Sequence, residues 1–502
     1  MQVETFYRQY GVSENPFVAE EARDDPVFLR LIDEGSAHPD FEKVFGEPSQ
    51  PRPGVVFGEK GSGKTGLRLM VERRLEKHNA DRADRRVWIV RYDDLNPILD
   101  RFSHSQRHQL GPDKLLERFR LVDHQDAILS LATTRLIDAL LDHDSSNGGE
   151  ALTAKTARHM SRQRRVDLAE LALLYDQPVS GNFLERWGRL RRVLRLGTIP
   201  WAKLGNRLGL LAGLVAAGMI LALQFINEAG TEMLLATGLV TAAAALLLGV
   251  GAIRGLKVWQ LGLRVRREVK VVDRPGDQLR RALGEMPLRD LGEQPVPIEG
   301  DQDARYQLTQ RLIAVLREFG YRSVTVLVDR VDEPALVNGE PQRMRSLIWP
   351  MLSNKFLQQD GVAIKLLLPI ELRHLLHRED AEFFQRARLD KQHLVDRLTW
   401  SGTFLYDLCT RRLRACQADE AEPIALRDLF ADEVGSRDLI DALDQMHQPR
   451  DAFKFLHAVV QEHCANVPED EPQFKIPRLT LESVRKQQSQ RVQEFYRGLT
   501  PA

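Results

Sequence analysis

The stretch Val55-Val56-Phe57-Gly58-Glu59-Lys60-Gly61-Ser62-Gly63-Lys64-Thr65 joins a short apolar, β-prone run to a loop of the form G-x-x-x-x-G-K-[ST]. Beyond it, Leu67, Met70, Val71 and Leu75 recur at helical spacing between Gly66 and Lys77. The order is strand, loop, helix, which is the context this loop requires. Glycines let the backbone curl closely round a phosphate, so that successive N–H groups and the N-terminus of the next helix face its charge. Lys64 is expected to reach the β- and γ-phosphates of a nucleoside triphosphate, and Thr65 to offer its hydroxyl to Mg²⁺. Gly58, Glu59, Lys60, Gly61, Ser62, Gly63, Lys64 and Thr65 are thus the candidate binding residues, with ATP and Mg²⁺ the expected cofactors.

A site of this kind also needs a carboxylate at the end of a neighbouring strand to hold the metal. The run Val324-Thr325-Val326-Leu327-Val328 reads as a buried strand and ends in Asp329, followed by Asp332 and Glu333. Asp329 joins Thr65 as the expected metal ligand. Either Asp332 or Glu333 is positioned to polarise an attacking water. A solvated turn after a core strand has the same composition; the presence of the Gly58 loop in the same chain favours the metal site. Further strands are expected at Val87 to Val90, Val362 to Leu368 and His393 to Val395, giving an α/β fold built on a parallel sheet. Arg386 and Arg388, ahead of the last strand, are candidates to stabilise γ-phosphate charge in cis or across a subunit boundary. Pro449-Arg450 opens a helix, with Pro favoured in the first turn, and would aim Arg450 back at the nucleotide.

The chain has 502 residues, 71 basic and 71 acidic, with 43% hydrophobic and 28% charged. This balance excludes a disordered tail-rich protein and gives no global argument for nucleic-acid binding. Cys409, Cys416 and Cys464 lack zinc or redox spacing and are expected to be reduced thiols. The polar start from Met1 to Tyr10 carries no secretory signal pattern.

The middle of the chain reads differently. Leu208 to Ile226 and Met233 to Ile253 are each uncharged and about 20 residues long, enough to cross a bilayer core of roughly 30 Å. The connector Asn227 to Glu232 carries only acids. Arg186, Arg189, Arg191, Arg192, Arg195, Lys203 and Arg207 precede the first segment; Arg254, Lys257, Arg264, Arg266, Arg267 and Lys270 follow the second. The positive-inside bias therefore puts both flanks, both termini and the nucleotide domain in the cytoplasm, with a two-pass hairpin in the inner membrane. Small residues every fourth position, Gly205, Gly209, Gly213 and Ala217, and again Ala245 and Gly249, allow close helix approach. The hairpin has no internal charge and offers no evident substrate path, so the further alternative of an ATP-driven pore or transporter would require oligomerisation to build one.

A hairpin lying between Gly58 and Asp329 resembles the KAP-type P-loop NTPases, in which membrane helices are inserted between Walker A and Walker B. Asp329, Asp332 and Glu333 also resemble the spacing in STAND-class relatives, and Asn15-Pro16-Phe17 with Pro449-Arg450 look like features of wider AAA-like ATPases. The chain departs from the pattern at Arg330, where an acid is usual, and at Pro369, where a polar sensor is usual; Glu371 stands close enough in sequence to substitute. The resemblance implies a membrane-associated signalling or anti-phage role in bacteria.

The expected organisation is a lead-in over 1–52, a nucleotide core over 53–100 and 321–400, and a helical insertion with its basic juxtamembrane segment over 101–207. The hairpin takes 208–253, a return segment 254–320, and a C-terminal helical lid and tail 401–502. The expected activity is slow, switch-like ATP hydrolysis; the alternative is a non-hydrolysing scaffold that nucleotide stabilises. Expected partners are the lipid bilayer, further copies of the chain in a homo-oligomer, and a protein partner that the sequence does not identify.

Overall fold

A computed structural model of the chain describes residues 1–17, 21–34, 38–106, 108, 110–141, 152–178, 182–196, 209–218, 220, 231–286, 302–418 and 421–496. Two compact units emerge. The first comprises Met1–Asn96, Pro112–Glu117 and Arg322–Ala502; the second comprises Pro97–Gly111 and Arg118–Tyr321.

The first unit is α/β. Its sheet has five strands, β1 Gly54–Gly58, β2 Arg86–Tyr92, β3 Tyr321–Val328, β4 Val362–Pro369 and β5 His393–Val395, in the order β2-β3-β4-β1-β5. β1 pairs in parallel with β4 and β5, and β3 pairs in parallel with β4. The burial pattern explains the apolar runs: β1 and β4 are buried at every position, as expected of parallel strands covered on both faces. β4 stands between β1 and β3, so the strand that ends in Asp329 is not the direct neighbour of the strand that feeds the loop. Parallel strands need crossovers, and sequence order does not dictate lateral order. In register, Pro369 ends β4 opposite Gly58.

Helix Lys64–Asp81 follows the loop and packs Leu67, Val71 and Leu75 into a core with Val56, Val87, Ile89 and Leu367. A second core holds the C-terminal helices Gly402–Ala415, Ser436–Asp444, Pro449–Asn466 and Arg478–Tyr496. Phe6, Tyr7, Phe17, Val27 and Leu31 belong to that same core. The lead-in is therefore built into the C-terminal lobe. A buried charge seals the join: Arg412 donates from Nε to Pro16 O at 2.8 Å and pairs with Asp25, which caps helix Pro26–Leu31.

The second unit is helical, with Leu121–Leu141, Arg162–Tyr175, Phe183–Val193, Gly276–Gly284 and Gln302–Arg317 as its shorter members. Its interior carries ion pairs as well as Leu. Arg305 Nη2 lies 3.0 Å from Asp126 Oδ2, both essentially inaccessible, and Tyr175 Oη donates to Asp126 Oδ1 at 2.8 Å. The longest member, Thr231–Glu268, has 38 residues. The helix thus runs on past Ile253, where the apolar segment ends, because Arg, Lys and Leu are good helix formers and carry it across Gly255 and Gly262. Among the described residues this is the one helix long and apolar enough to cross a membrane, over Thr237–Glu268, and only 6% of its apolar window is buried. Of the first apolar segment the structure describes helix Gly209–Gly218, which is shorter than a span, and Ile220. Gly205, Leu208, residues 221–226 and the connector's Asn227 to Gly230 lie outside the described residues, as do Lys203, Arg207 and the loop from Asp144 to Glu150.

Candidate functional site

The Gly58–Thr65 loop crosses from the end of β1 to the first turn of helix Lys64–Asp81. Its glycines are there for steric reasons. A Cβ at Gly58 would sit 2.5 Å from Ser62 Oγ and 3.1 Å from Lys64 Cγ, whereas Gly61 and Gly63 have φ of +96° and +92°. Both φ values lie in the left-handed region, which favours glycine. Lys64 Nζ donates to Gly58 O at 2.8 Å and to Glu59 O at 2.9 Å. Burial pulls its ammonium below the usual lysine range; the carboxylates of Asp332, Asp329 and Glu371 oppose this, and Arg450 adds to it. Lys60 is exposed at the rim, and Glu59 is ion-paired with Arg397.

Asp329 sits at the end of β3, 1% exposed, with its N–H donating to Tyr92 O at 3.4 Å. Thr65 donates its hydroxyl to this carboxylate, so the two expected metal ligands are in contact. Burial raises the Asp329 carboxyl above the usual carboxylate range, against the lowering influence first of Arg68 and then of Thr65. One of its oxygens, Oδ2, has no hydrogen-bond partner among the described residues. A hydroxyl and a buried carboxylate are hard donors of the kind Mg²⁺ takes when waters and phosphates complete its shell.

Of the two further acids, Glu333 is ion-paired with Arg330, and its side chain is about half exposed. Asp332 is only partly exposed and is the carboxylate that acts most strongly on Lys64. Arg330 takes φ of +59°, an uncommon state for a non-glycine residue. Glu371 lies in the first turn of helix Ile370–Leu376 and also faces Lys64 electrostatically.

Arg450 reaches the loop. A Cβ on Gly61 would lie 3.0 Å from Arg450 Cβ, and Arg450 Nε is buried without a hydrogen-bond partner. Arg386 and Arg388 do not reach it. Arg386 is exposed with its guanidinium 5.6 Å from the Phe383 ring, and Arg388 ends helix Ala381–Ala387 in a left-handed turn, hydrogen-bonded to Asp390. Neither lines the cleft, so a cis role for them at this loop is not supported.

The cleft itself has a volume of about 610 Å³, within the range of small-molecule sites. One wall is the loop with Lys64 and Thr65; the floor is Asp329, Asp332 and Glu333. The lead-in supplies Glu21, Phe28 and Ile32, and the C-terminal lobe supplies Trp400, Arg411, Arg450 and Phe453.

Two participants escape a motif search. Arg68, 5% exposed on helix Lys64–Asp81, places its guanidinium 3.0 Å from Glu72, 3.3 Å from Asp93 and 3.6 Å from Asp329. Only its i,i+4 spacing to Glu72 is visible in sequence. Trp400 donates from Nε1 to Ser62 O at 2.8 Å and packs edge-on against His38, pinning the loop to the segment that leads into the C-terminal lobe. A lone Trp near a helix start gives no such signal.

No family model matches the sequence, and no curated protein or solved structure is significantly similar to it.

Proposed function

We propose that this chain is a membrane-anchored P-loop NTPase that binds ATP with Mg²⁺ and hydrolyses it slowly, as a conformational or assembly switch. The observation that carries the reading is the contact between Thr65 and Asp329 beneath a glycine-rich loop, with Asp329 Oδ2 making no hydrogen bond and meeting only the Arg68 guanidinium at 3.6 Å. Backbone N–H groups of the loop and the N-terminus of helix Lys64–Asp81 would hold the phosphates. Lys64 would exchange its two carbonyl partners for β- and γ-phosphate oxygens. Thr65 and Asp329 would hold the metal, whose chemistry is to neutralise charge on the transferring phosphoryl group. Asp332 is better placed than Glu333 to orient water, because Glu333 is engaged by Arg330. Arg450, with an unpartnered buried Nε on the loop, would meet the γ-phosphate from the C-terminal lobe.

Anchorage rests on the exposed apolar surface of helices Thr231–Glu268 and Gly209–Gly218, where Leu211, Leu214, Leu239 and Leu246 are 59–72% exposed. A contiguous apolar surface of this kind calls for a lipid or protein covering. A two-pass hairpin in the inner membrane, with the sheet-bearing unit in the cytoplasm, is the arrangement that the flanking charges favour. Homo-oligomerisation and a signalling or defence role, with a protein partner downstream, follow from the resemblance.

The Arg330–Glu333 pair also favours a second reading, a scaffold in which nucleotide stabilises the fold without turnover. Phosphate release from ATP in the intact, detergent-solubilised protein decides between them. The enzyme reading expects turnover that Lys64→Ala abolishes and Asp332→Asn reduces by about two orders of magnitude. Turnover unchanged by Lys64→Ala contradicts it. Nucleotide-dependent stabilisation without turnover, unaffected by Asp332→Asn and Glu333→Gln, establishes the scaffold.

A further inference from the structure

Helix Thr231–Glu268 carries two opposite faces, each spaced alternately by four and three residues. One face is covered by its own chain: Thr237, Ala244, Val258 and Val265 are buried on it. Gly209 comes so close there that a Cβ would lie 3.2 Å from Leu247, and Gly262 likewise admits Arg280 at 3.2 Å. The other face is open. Leu235, Leu239, Leu246, Ile253, Leu256 and Leu263 lie on it and are 49–72% exposed. The small residues Ala242 and Gly249 keep the spacing between them, and Gln260 keeps it between Leu256 and Leu263.

Lipid alone does not account for this line. At 1.5 Å per residue the helix is about 57 Å long, against roughly 30 Å of bilayer core. The line continues past Arg254 through Leu256 and Leu263, where Lys257 and Arg264 are exposed on the same helix. Past Arg254, where charges interrupt the apolar run, the exposed Leu256 and Leu263 keep the heptad spacing that a left-handed helix pair requires, and a helix facing only lipid has no need of it. Charges flanking the line fit a parallel pair. With Leu256 and Leu263 at the d positions, Trp259 of one helix falls opposite Arg264 of the other, a cation–π match, and Lys257 falls opposite Ala252. Between Leu256 and Leu263 no two like charges face each other; Arg267, the next position on the line, would face its own copy, so the seam ends at Leu263.

We propose that this open face is a homodimer seam: two copies of the chain pair their Thr231–Glu268 helices in parallel, from Leu235 as far as Leu263. The proposal rests on the membrane reading only for the parallel direction, which insertion of both copies in the same sense imposes.

The test uses the full chain in lipid nanodiscs without nucleotide. Leu256→Cys and Leu263→Cys are exposed to a mild oxidant beside Gly255→Cys, which lies off the seam, and beside the parent, whose three cysteines are buried. The seam predicts covalent dimers at 256 and 263 and none at 255 or in the parent. It also predicts that Leu256→Glu with Leu263→Glu makes the particle monomeric by mass while the protein stays in the membrane fraction. Cross-linking at 256 and 263 no greater than at 255, with a monomeric parent, overturns the proposal and leaves lipid as the covering. Dimers formed by protein that fractionates as soluble would support the seam and remove the membrane reading, so the two fail separately.

Discussion

Arg68 and Asp329, far apart in the sequence, come within 3.6 Å of one another under the Gly58–Thr65 loop, where the arginine's other nitrogens meet Glu72 and Asp93. One buried cation thereby ties the helix after the loop to the ends of β2 and β3. It also offsets the burial of the carboxylate assigned to the metal.

Arg68→Met should destabilise the first unit by about 3 kcal/mol, because truncating one member of a buried charge cluster strands the others. Urea denaturation measures this. The deficit should shrink on acidification, since protonating Asp329 removes the stranded charge, and adding Asp329→Asn should recover part of it at neutral pH. A loss that is the same in both Asp329 backgrounds would show that the two residues are not coupled.

Gly58→Ala should cost roughly 1–3 kcal/mol through overpacking, because the new methyl meets Ser62 Oγ at 2.5 Å. Glycine at 63 is needed for a different reason, so Gly63→Ala should cost about 1 kcal/mol from its positive φ alone. Thermal melts of the two variants separate the effects: only Gly58→Ala should be partly rescued by Ser62→Gly.

Two buried groups should give opposite pH slopes. Burial pushes the Glu170 carboxyl up to about 8, so between its ordinary 4.5 and 8 the folded chain holds a proton that the unfolded chain has released. Stability falls as pH rises through that window, and Glu170→Gln should flatten the fall. Burial pushes the Lys365 ammonium, held by Phe45 O and Arg52 O, down to about 8 from 10.5. There the unfolded chain binds the extra proton, so stability rises between pH 8 and 10.5, and Lys365→Met should abolish the rise. Denaturation midpoints across pH check both signs.

Removal of residues 208–253 should move the protein from the membrane fraction to the soluble one without detergent, because it takes away most of the exposed Leu and Val of the second unit. The parent appearing soluble without detergent, with solubility unchanged by the deletion, would refute anchorage.

The loop and its flanking strand and helix were legible because their residues are contiguous and each obeys a local rule. Asp329 was legible for the same reason, as the first acid after an apolar run. What lay beyond local rules was lateral. Nothing in the run Val362 to Leu368 announces that it separates β1 from β3. Arg68 looks like any surface arginine until Asp93 and Asp329 arrive from distant strands. Phe6 and Phe17 read as turn-rich lead-in, yet they fill the core beneath helix Pro449–Asn466. Arg386 and Arg388 stand just before the last strand in sequence, but Arg386 lies over Phe383 and Arg388 closes a helix. That the helix runs on to Glu268 was not legible either, because the first charge marks the edge of an apolar run and not the end of a helix.

The central claim is that the Gly58–Thr65 loop with Asp329 binds a nucleoside triphosphate and Mg²⁺. Isothermal titration of the intact, detergent-solubilised protein with a non-hydrolysable ATP analogue, with and without Mg²⁺, tests it most directly. The account predicts saturable binding that Mg²⁺ strengthens, that Lys64→Ala abolishes, and whose Mg²⁺ enhancement Asp329→Asn removes. Binding absent from the parent, or retained in full by Lys64→Ala, would contradict it.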